Sequence, residues 1–201
     1  MEQTPAWTDN VLQGLTYWVG YKKQYYRFYP LSEGALVAEL LSLLSANTDS
    51  SSIIIPEVMY KKICSEWKKK DGTRVDISIA FKKKENFSHA KHTHTVIEVK
   101  RDMKGNKNKI TNDIERLAKC LSKSNISGLR GFLILVSQDH RPEKFVSSKG
   151  NARHKEFKIE KYPNYIAKVR RVCKSTSSFK GEGSVATEHA HYACLIEVCI
   201  V

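Results

Sequence analysis

The stretch TRVDISIAFKKKENFSHAKHTHTVIEVKR, Thr73 to Arg101, decides how the rest of the chain is read. It holds two runs of alternating apolar residues, RVDISI and TVIEVK, joined by a basic, His-rich connector. A strand turns successive side chains to opposite faces. In the first run Val75, Ile77 and Ile79 therefore share one face and leave Asp76 and Ser78 on the other. In the second, Ile97 and Val99 share a face and leave Glu98 and Lys100 opposite. If the runs are neighbours with their apolar faces in one layer, Asp76, Glu98 and Lys100 fall on one side together. Two carboxylates brought together repel unless a cation joins them, and hard divalent ions such as Mg²⁺ suit oxygen ligands. A lysine two residues after the second acid can hold an attacking water or offset charge on a phosphate. A charged outer strand face is the plain structural alternative, and the tripeptide Glu98-Val99-Lys100 alone favours it.

Working outward, IIIPEVMYKKICSEW, Ile53 to Trp67, predicts a preceding strand, with a hairpin turn on Asp71-Gly72 leading into the strand Arg74–Phe81. Before it, Leu36, Val37, Leu40, Leu41 and Leu44 form one helical stripe, with Ser32 as N-cap and Asn47 as stop. Glu39 sits at the edge of that stripe, and Glu33 lies in the first turn, where the helix dipole favours an acid. Downstream, Asn108 to Ser124 predicts an amphipathic helix with Ile110, Ile114, Leu117, Ala118 and Leu121 on one side. RGFLILVS, Arg130 to Ser137, is continuously apolar, as in a strand covered on both faces. YIAKVRRVCKS, 165 to 175, and HAHYACLIEVCIV, 189 to 201, predict two further strands separated by the connector STSSFKGEGS. Near the N-terminus a short helix is expected over 9 to 20, with YKKQYYRFYP irregular or extended after it. The tyrosines there read as packing surface, or as a base-stacking and phosphate-contacting patch with Lys22, Lys23 and Arg27.

The 201 residues carry a formal charge of +13, with 34 basic and 21 acidic side chains. Such an excess favours a polyanionic partner. Hydrophobic content of 41% fits a globular chain with one core. No apolar run reaches the roughly 18–20 residues of a membrane span, and MEQTPAWTDN shows no signal-peptide pattern. The five cysteines form no CxxC, which argues against a zinc module or disulfide framework and points to a reducing cytoplasm.

The order of these elements, with Asp76 in one strand and Glu98-Val99-Lys100 in the next, resembles the PD-(D/E)XK nuclease superfamily. That family's core runs helix, three strands, helix, strand. Here it matches Ser32–Ala46, Ile53–Trp67, Arg74–Phe81, Thr93–Arg101, Asn108–Ser124 and Arg130–Ser137, about half the chain. The resemblance implies an α/β fold with a restriction-endonuclease-like αβββαβ core, a central mixed sheet flanked by helices and extra C-terminal strands. The expected domain is single, with its core at about 32–137 and an extension over 138–201. It implies an Mg²⁺-dependent endonuclease acting on DNA, with Mn²⁺ as a substitute ion, in restriction or anti-phage defence. A structure-specific repair or recombination nuclease, or a non-catalytic nucleic-acid-binding subunit, are the alternatives. RNA stays open as a substrate, and a homodimer or larger defence complex as an assembly. By the resemblance Asp76 and Glu98 bind the metal, with Val99 contributing its carbonyl. Lys100 positions or activates water, and Glu39 completes the shell. Val75 stands where the motif's name has Pro, the helix after the motif lacks QxxxY, and Glu57 is a reserve acid.

Lys68, Lys69 and Lys70 flank one end of the Arg74–Phe81 strand, and Lys82, Lys83 and Lys84 the other. With Arg101 and Lys107 they are the expected backbone contacts to nucleic acid. The basic stretch Lys149 to Lys161 is a further contact candidate. His92 and His94 share a strand-like spacing, and a flexible basic hairpin is preferred there over a metal site. His189, His191 and Glu197 read as structural, and the apolar terminus as core or a dimer interface.

Overall fold

One mixed sheet lies between helices on both faces. The computed structural model describes residues 3–26, 31–68, 70–83, 85–103, 107–175 and 190–201. The elements run α1 (Thr8–Tyr25), α2 (Glu33–Asn47), β1 (Ser52–Met59), α3 (Tyr60–Ile63), β2 (Arg74–Phe81), α4 (His89–His92), β3 (Thr93–Asp102), α5 (Lys107–Lys123), β4 (Arg130–Ser137), β5 (Glu156–Lys158), β6 (Tyr165–Ser175) and β7 (His191–Ile200). The strands stand in the order β1-β2-β3-β4-β7-β6-β5. β3 and β4 are parallel, joined by the α5 crossover, and every other pair is antiparallel.

The alternation read from the sequence places the layers. Ile77, Ile79, Ile97, Val99, Phe132, Ile134 and Val136 pack against α1 and α2. Val96, Leu133 and Leu135 pack against Ile110, Ile114, Leu117 and Ala118 of α5 on the other face. Ser32 caps α2, its hydroxyl accepting the Ala35 amide at 3.1 Å. Gly14 lets α1 and α2 approach, since a Cβ there would stand 2.8 Å from Leu43.

Three expectations change. The Ile53–Trp67 strand stops at Met59, and Tyr60–Ile63 forms a single helical turn instead. Tyr60 and Trp67 stack with ring centroids 4.6 Å apart, and burying them with Ile63 and Cys64 outweighs continued pairing. There is consequently no tight hairpin: Asp71 accepts the Thr73 amide at 2.9 Å to turn the chain into β2. Second, α1 continues to Tyr25, one side being covered by β6, β7 and α2 along its length. Third, Val75 leaves the layer of Ile77 and Ile79 and joins Val58, Tyr60 and α5, because the β2–β3 ladder ends at Ile77↔Ile97.

β7 lies between β4 and β6, so both its hydrogen-bonding edges are taken and the strand offers no edge to a dimer. Glu197 on it is 1% exposed, held by Arg130 at 2.7 Å and by Arg170. Replacing both arginines with Met leaves that carboxylate buried without a cation and is expected to cost about 3–5 kcal/mol. Adding Glu197→Met should recover most of the loss, as read from urea unfolding of the three variants. His191 is likewise structural: its buried ring accepts the Asp139 amide at 3.2 Å.

All five cysteines are free. No helix among the described residues is long and apolar enough to cross a membrane. Arg27, His189 and the STSSFKGEGS connector lie outside the described residues.

Candidate active site

Asp76 and Glu98 meet where β2 and β3 part. Ser78 pairs with Val96 and Ile77 with Ile97, which sets Asp76 and Glu98 next in line on the α5 side. Past that point the Val99 amide donates to Asp76 Oδ2 at 2.7 Å, a side chain standing in for the lost cross-strand carbonyl. Asp76 stands near enough to Glu98 for the two carboxylates to oppose each other's charge. Glu98 is 3% exposed. Its Oε1 accepts from the Tyr60 hydroxyl at 2.5 Å and from Arg116 Nη1 at 3.0 Å.

Lys100, the next residue on that face of β3, bridges Asp113 of α5 at 3.3 Å and Glu33 of α2 at 3.1 Å. Arg116 also pairs with Asp113, at 2.9 Å. Asp76, Glu98, Asp113, Glu33, Lys100 and Arg116 thus form one cluster of four acids and two bases, with more carboxylates than cations to pair them.

Burial, with Asp76 alongside, pushes the Glu98 carboxyl up from an ordinary 4.5 to about 8. Burial raises Asp76 and Asp113 as well, the latter against the pull of Lys100 and Arg116. Around Lys100, burial is outweighed by Asp113 and Glu33, so its ammonium is held above the ordinary lysine value. A lysine so placed stays charged and stabilises negative charge; it does not serve as a base at neutral pH. Tyr60 is pushed up by burial and remains a donor.

The helix acid that reaches the cluster is Glu33, not Glu39. α2 lies on the opposite face of the sheet, inserting Leu36, Leu40 and Leu44. Its first turn alone borders the end of β3, where Glu33 also accepts the Arg101 amide at 3.4 Å. Six residues further along, Glu39 is about 9 Å away along the helix axis. Among the described residues no hydrogen bond or ion pair joins it to Asp76, Glu98 or Lys100. Glu57 stands on β1 opposite Asp76, in the left-handed region at φ 55°, and pairs with Arg74 at 3.7 Å.

No protein-family model, curated protein or solved structure matches the chain. Among the described residues no three His, Cys, Asp or Glu side chains stand grouped for a metal ion; an Asp–Glu pair lies below that count. His92 instead turns its Nδ1 to the Ser88 backbone at 3.0 Å, and His94 to Thr95 Oγ1 at 3.0 Å.

The expected phosphate contacts are dispersed. Lys68 and Lys70 are exposed near the Asp76 end of β2. Lys82 and Lys83 are exposed just past its other end, roughly 20 Å along the chain from Asp76. The Arg101 guanidinium donates to the Leu31 carbonyl at 2.6 Å. Lys69, Lys84 and the side chain of Lys107 lie outside the described residues. A cleft beside the acids is lined by Trp67, Asp71, Arg116, Lys119 and Lys161, and Lys119 sits 3.8 Å over the Trp67 ring.

Sequence reasoning missed Asp113, Arg116 and Tyr60. Asp113 was traceable: three residues after Ile110 and one before Ile114, it falls inside the apolar arc of α5 and is 4% exposed. An acid in that position needs a partner, and Arg116 and Lys100 are those partners. Tyr60 was hidden because the run around it reads as strand.

Proposed function

We propose that the chain is a metal-dependent nuclease that hydrolyses phosphodiester bonds in DNA, centred on Asp76, Glu98 and Lys100. The observation that carries this reading is the placing of Asp76 beside Glu98, its carboxylate accepting the amide of the next residue, Val99, at 2.7 Å, with Lys100 following on β3 and paired to Asp113. A buried and a half-buried carboxylate set side by side repel, and a divalent cation between them relieves that repulsion. The order α2-β1-β2-β3-α5-β4 supports a restriction-endonuclease-like core, and the charge of +13 supports a nucleic-acid substrate. Restriction or anti-phage defence in the cytoplasm is the use proposed for it.

In this reading Asp76 and Glu98 hold Mg²⁺, or Mn²⁺ in substitution. The ion supplies Lewis acidity and an activated water. Lys100 faces the charge that builds on the phosphate. Asp113 and Glu33 set the position of the Lys100 ammonium, and Arg116 holds Glu98 and borders the basic cleft.

The burial of Glu98 under Tyr60 and Arg116 favours a second reading, a nucleic-acid-binding subunit without catalysis. Supercoiled plasmid and single-stranded DNA incubated with Mg²⁺, Mn²⁺ or EDTA separate the two. Cleavage confined to the metal-containing reactions is the expected result. Cleavage in EDTA overturns the mechanism, and binding without cleavage under either ion assigns the second reading.

A further inference from the structure

The nuclease reading leaves the exposed side of α1 unused. The helix buries Val11, Leu12, Leu15 and Val19 completely. Its outward side carries Tyr17, Tyr21 and Tyr25, 62%, 55% and 68% exposed, followed by Tyr26 at 51%. A four-residue spacing sets each ring about 6 Å further along one side of the helix. The Tyr21 and Tyr25 ring centroids are 4.9 Å apart. Lys22 places its ammonium 5.7 Å from the Trp18 ring, 6.0 Å from Tyr21 and 5.9 Å from Tyr26. Asp9 is the one acid of α1, and Arg171 holds it at 2.6 Å, a full two turns before Tyr17.

Contiguous exposed aromatic surface marks a binding site more often than it is incidental. The chemistry of this stripe selects the partner. Flat ring faces accept any nucleobase, and the ammonium among them accepts a phosphate. An apolar protein surface would gain nothing from the lysine, and a duplex keeps its base faces stacked away from the rings. We propose that the Tyr17–Tyr21–Tyr25 side of α1 is a stacking platform for single-stranded nucleic acid, with Lys22 as its phosphate contact. It lies on the α1–α2 face of the sheet, whereas Asp76 and Glu98 lie on the α5 face. The platform therefore stands or falls independently of the nuclease reading.

The test is fluorescence anisotropy of a labelled oligothymidine, and of its duplex with oligodeoxyadenosine, in EDTA. Wild type should bind the single strand more tightly. The Tyr17→Ala/Tyr21→Ala/Tyr25→Ala variant should bind it at least about tenfold more weakly. The corresponding Tyr→Phe variant should stay within about threefold of wild type, because it keeps the ring faces. Circular dichroism confirms the fold, and the three single Ala variants replace the triple one if that does not fold. Unchanged affinity in the Ala variants overturns the proposal, as does a Phe variant as weak as the Ala variant. So does a stripe whose loss turns a dimer into a monomer in sedimentation while oligothymidine affinity is unchanged. Failure of metal-dependent cleavage with stripe-dependent binding intact overturns the nuclease centre alone.

Discussion

Replacing Glu98 with Ala is expected to lower Mg²⁺-supported DNA cleavage by on the order of a thousandfold, and Lys100→Ala by roughly a hundred- to a thousandfold. The two losses have different causes. Without Glu98, Asp76 alone remains of the acid pair, Tyr60 loses its acceptor and Arg116 keeps only Asp113. Raised metal concentration should then recover part of the activity if weak ion binding is the defect. Without Lys100 the acid pair persists, but the charge facing the phosphate is gone and Asp113 loses one of its two cations. Raised metal concentration should not rescue that variant, and its defect should lie in kcat more than in KM. Single-turnover cleavage across an Mg²⁺ titration measures both. Full activity in either variant removes Asp76, Glu98 and Lys100 as the centre.

In EDTA the stability of the wild-type protein is expected to fall as pH rises from about 5 to 8, and Glu98→Gln to flatten most of that fall. An unfolded Glu98 loses its proton near 4.5, whereas the native one keeps it to about 8. Between those values the native state binds the extra proton, so stability declines with rising pH, by at most about 1.4 kcal/mol per pH unit. The decline totals on the order of 4 kcal/mol and ends above about pH 8. Asp76 and Asp113, raised by the same burial, act with the same sign. Glutamine keeps an oxygen for the Tyr60 hydroxyl and carries no charge, so the variant should exceed wild type in stability at pH 8. Urea unfolding at pH 5, 6, 7 and 8 checks this. A flat wild-type profile, or a variant with the same slope, means that Glu98 does not keep its proton in the folded protein. Mg²⁺ added at pH 8 should stabilise wild type and leave Glu98→Gln nearly unmoved.

Period-two alternation held for Ile77 and Ile79 of β2 and for Val96, Ile97 and Val99 of β3, but not at Val75, so Asp76 is placed by its bond to the Val99 amide rather than by alternation alone. Local chemistry was equally readable in the Ser32 cap of α2. The limits of β4 at Arg130–Ser137 and of β6 at Tyr165–Ser175 follow the apolar runs. Glu33 and Glu39 show where this stops. Both suit the helix, and only the way α2 crosses the sheet end puts Glu33 beside Lys100. Asp113 and Arg116 come from a helix that follows the motif, and their approach to Glu98 depends on the parallel β3–β4 pairing that folds α5 back over the acids.

The chain's own residues determined the alternating strands, the capped and amphipathic helices, the cationic charge and the side on which Glu98 falls, since each follows from backbone geometry and the burial of apolar groups within a few residues. The tertiary structure alone decided that Tyr60 turns inward, that β7 becomes a central strand between β4 and β6, and that Asp113, Arg116 and Glu33 complete the cluster. Those outcomes depend on contacts between residues distant in sequence, where the burial of Tyr60, Trp67 and three carboxyls is settled jointly by every element packed around them.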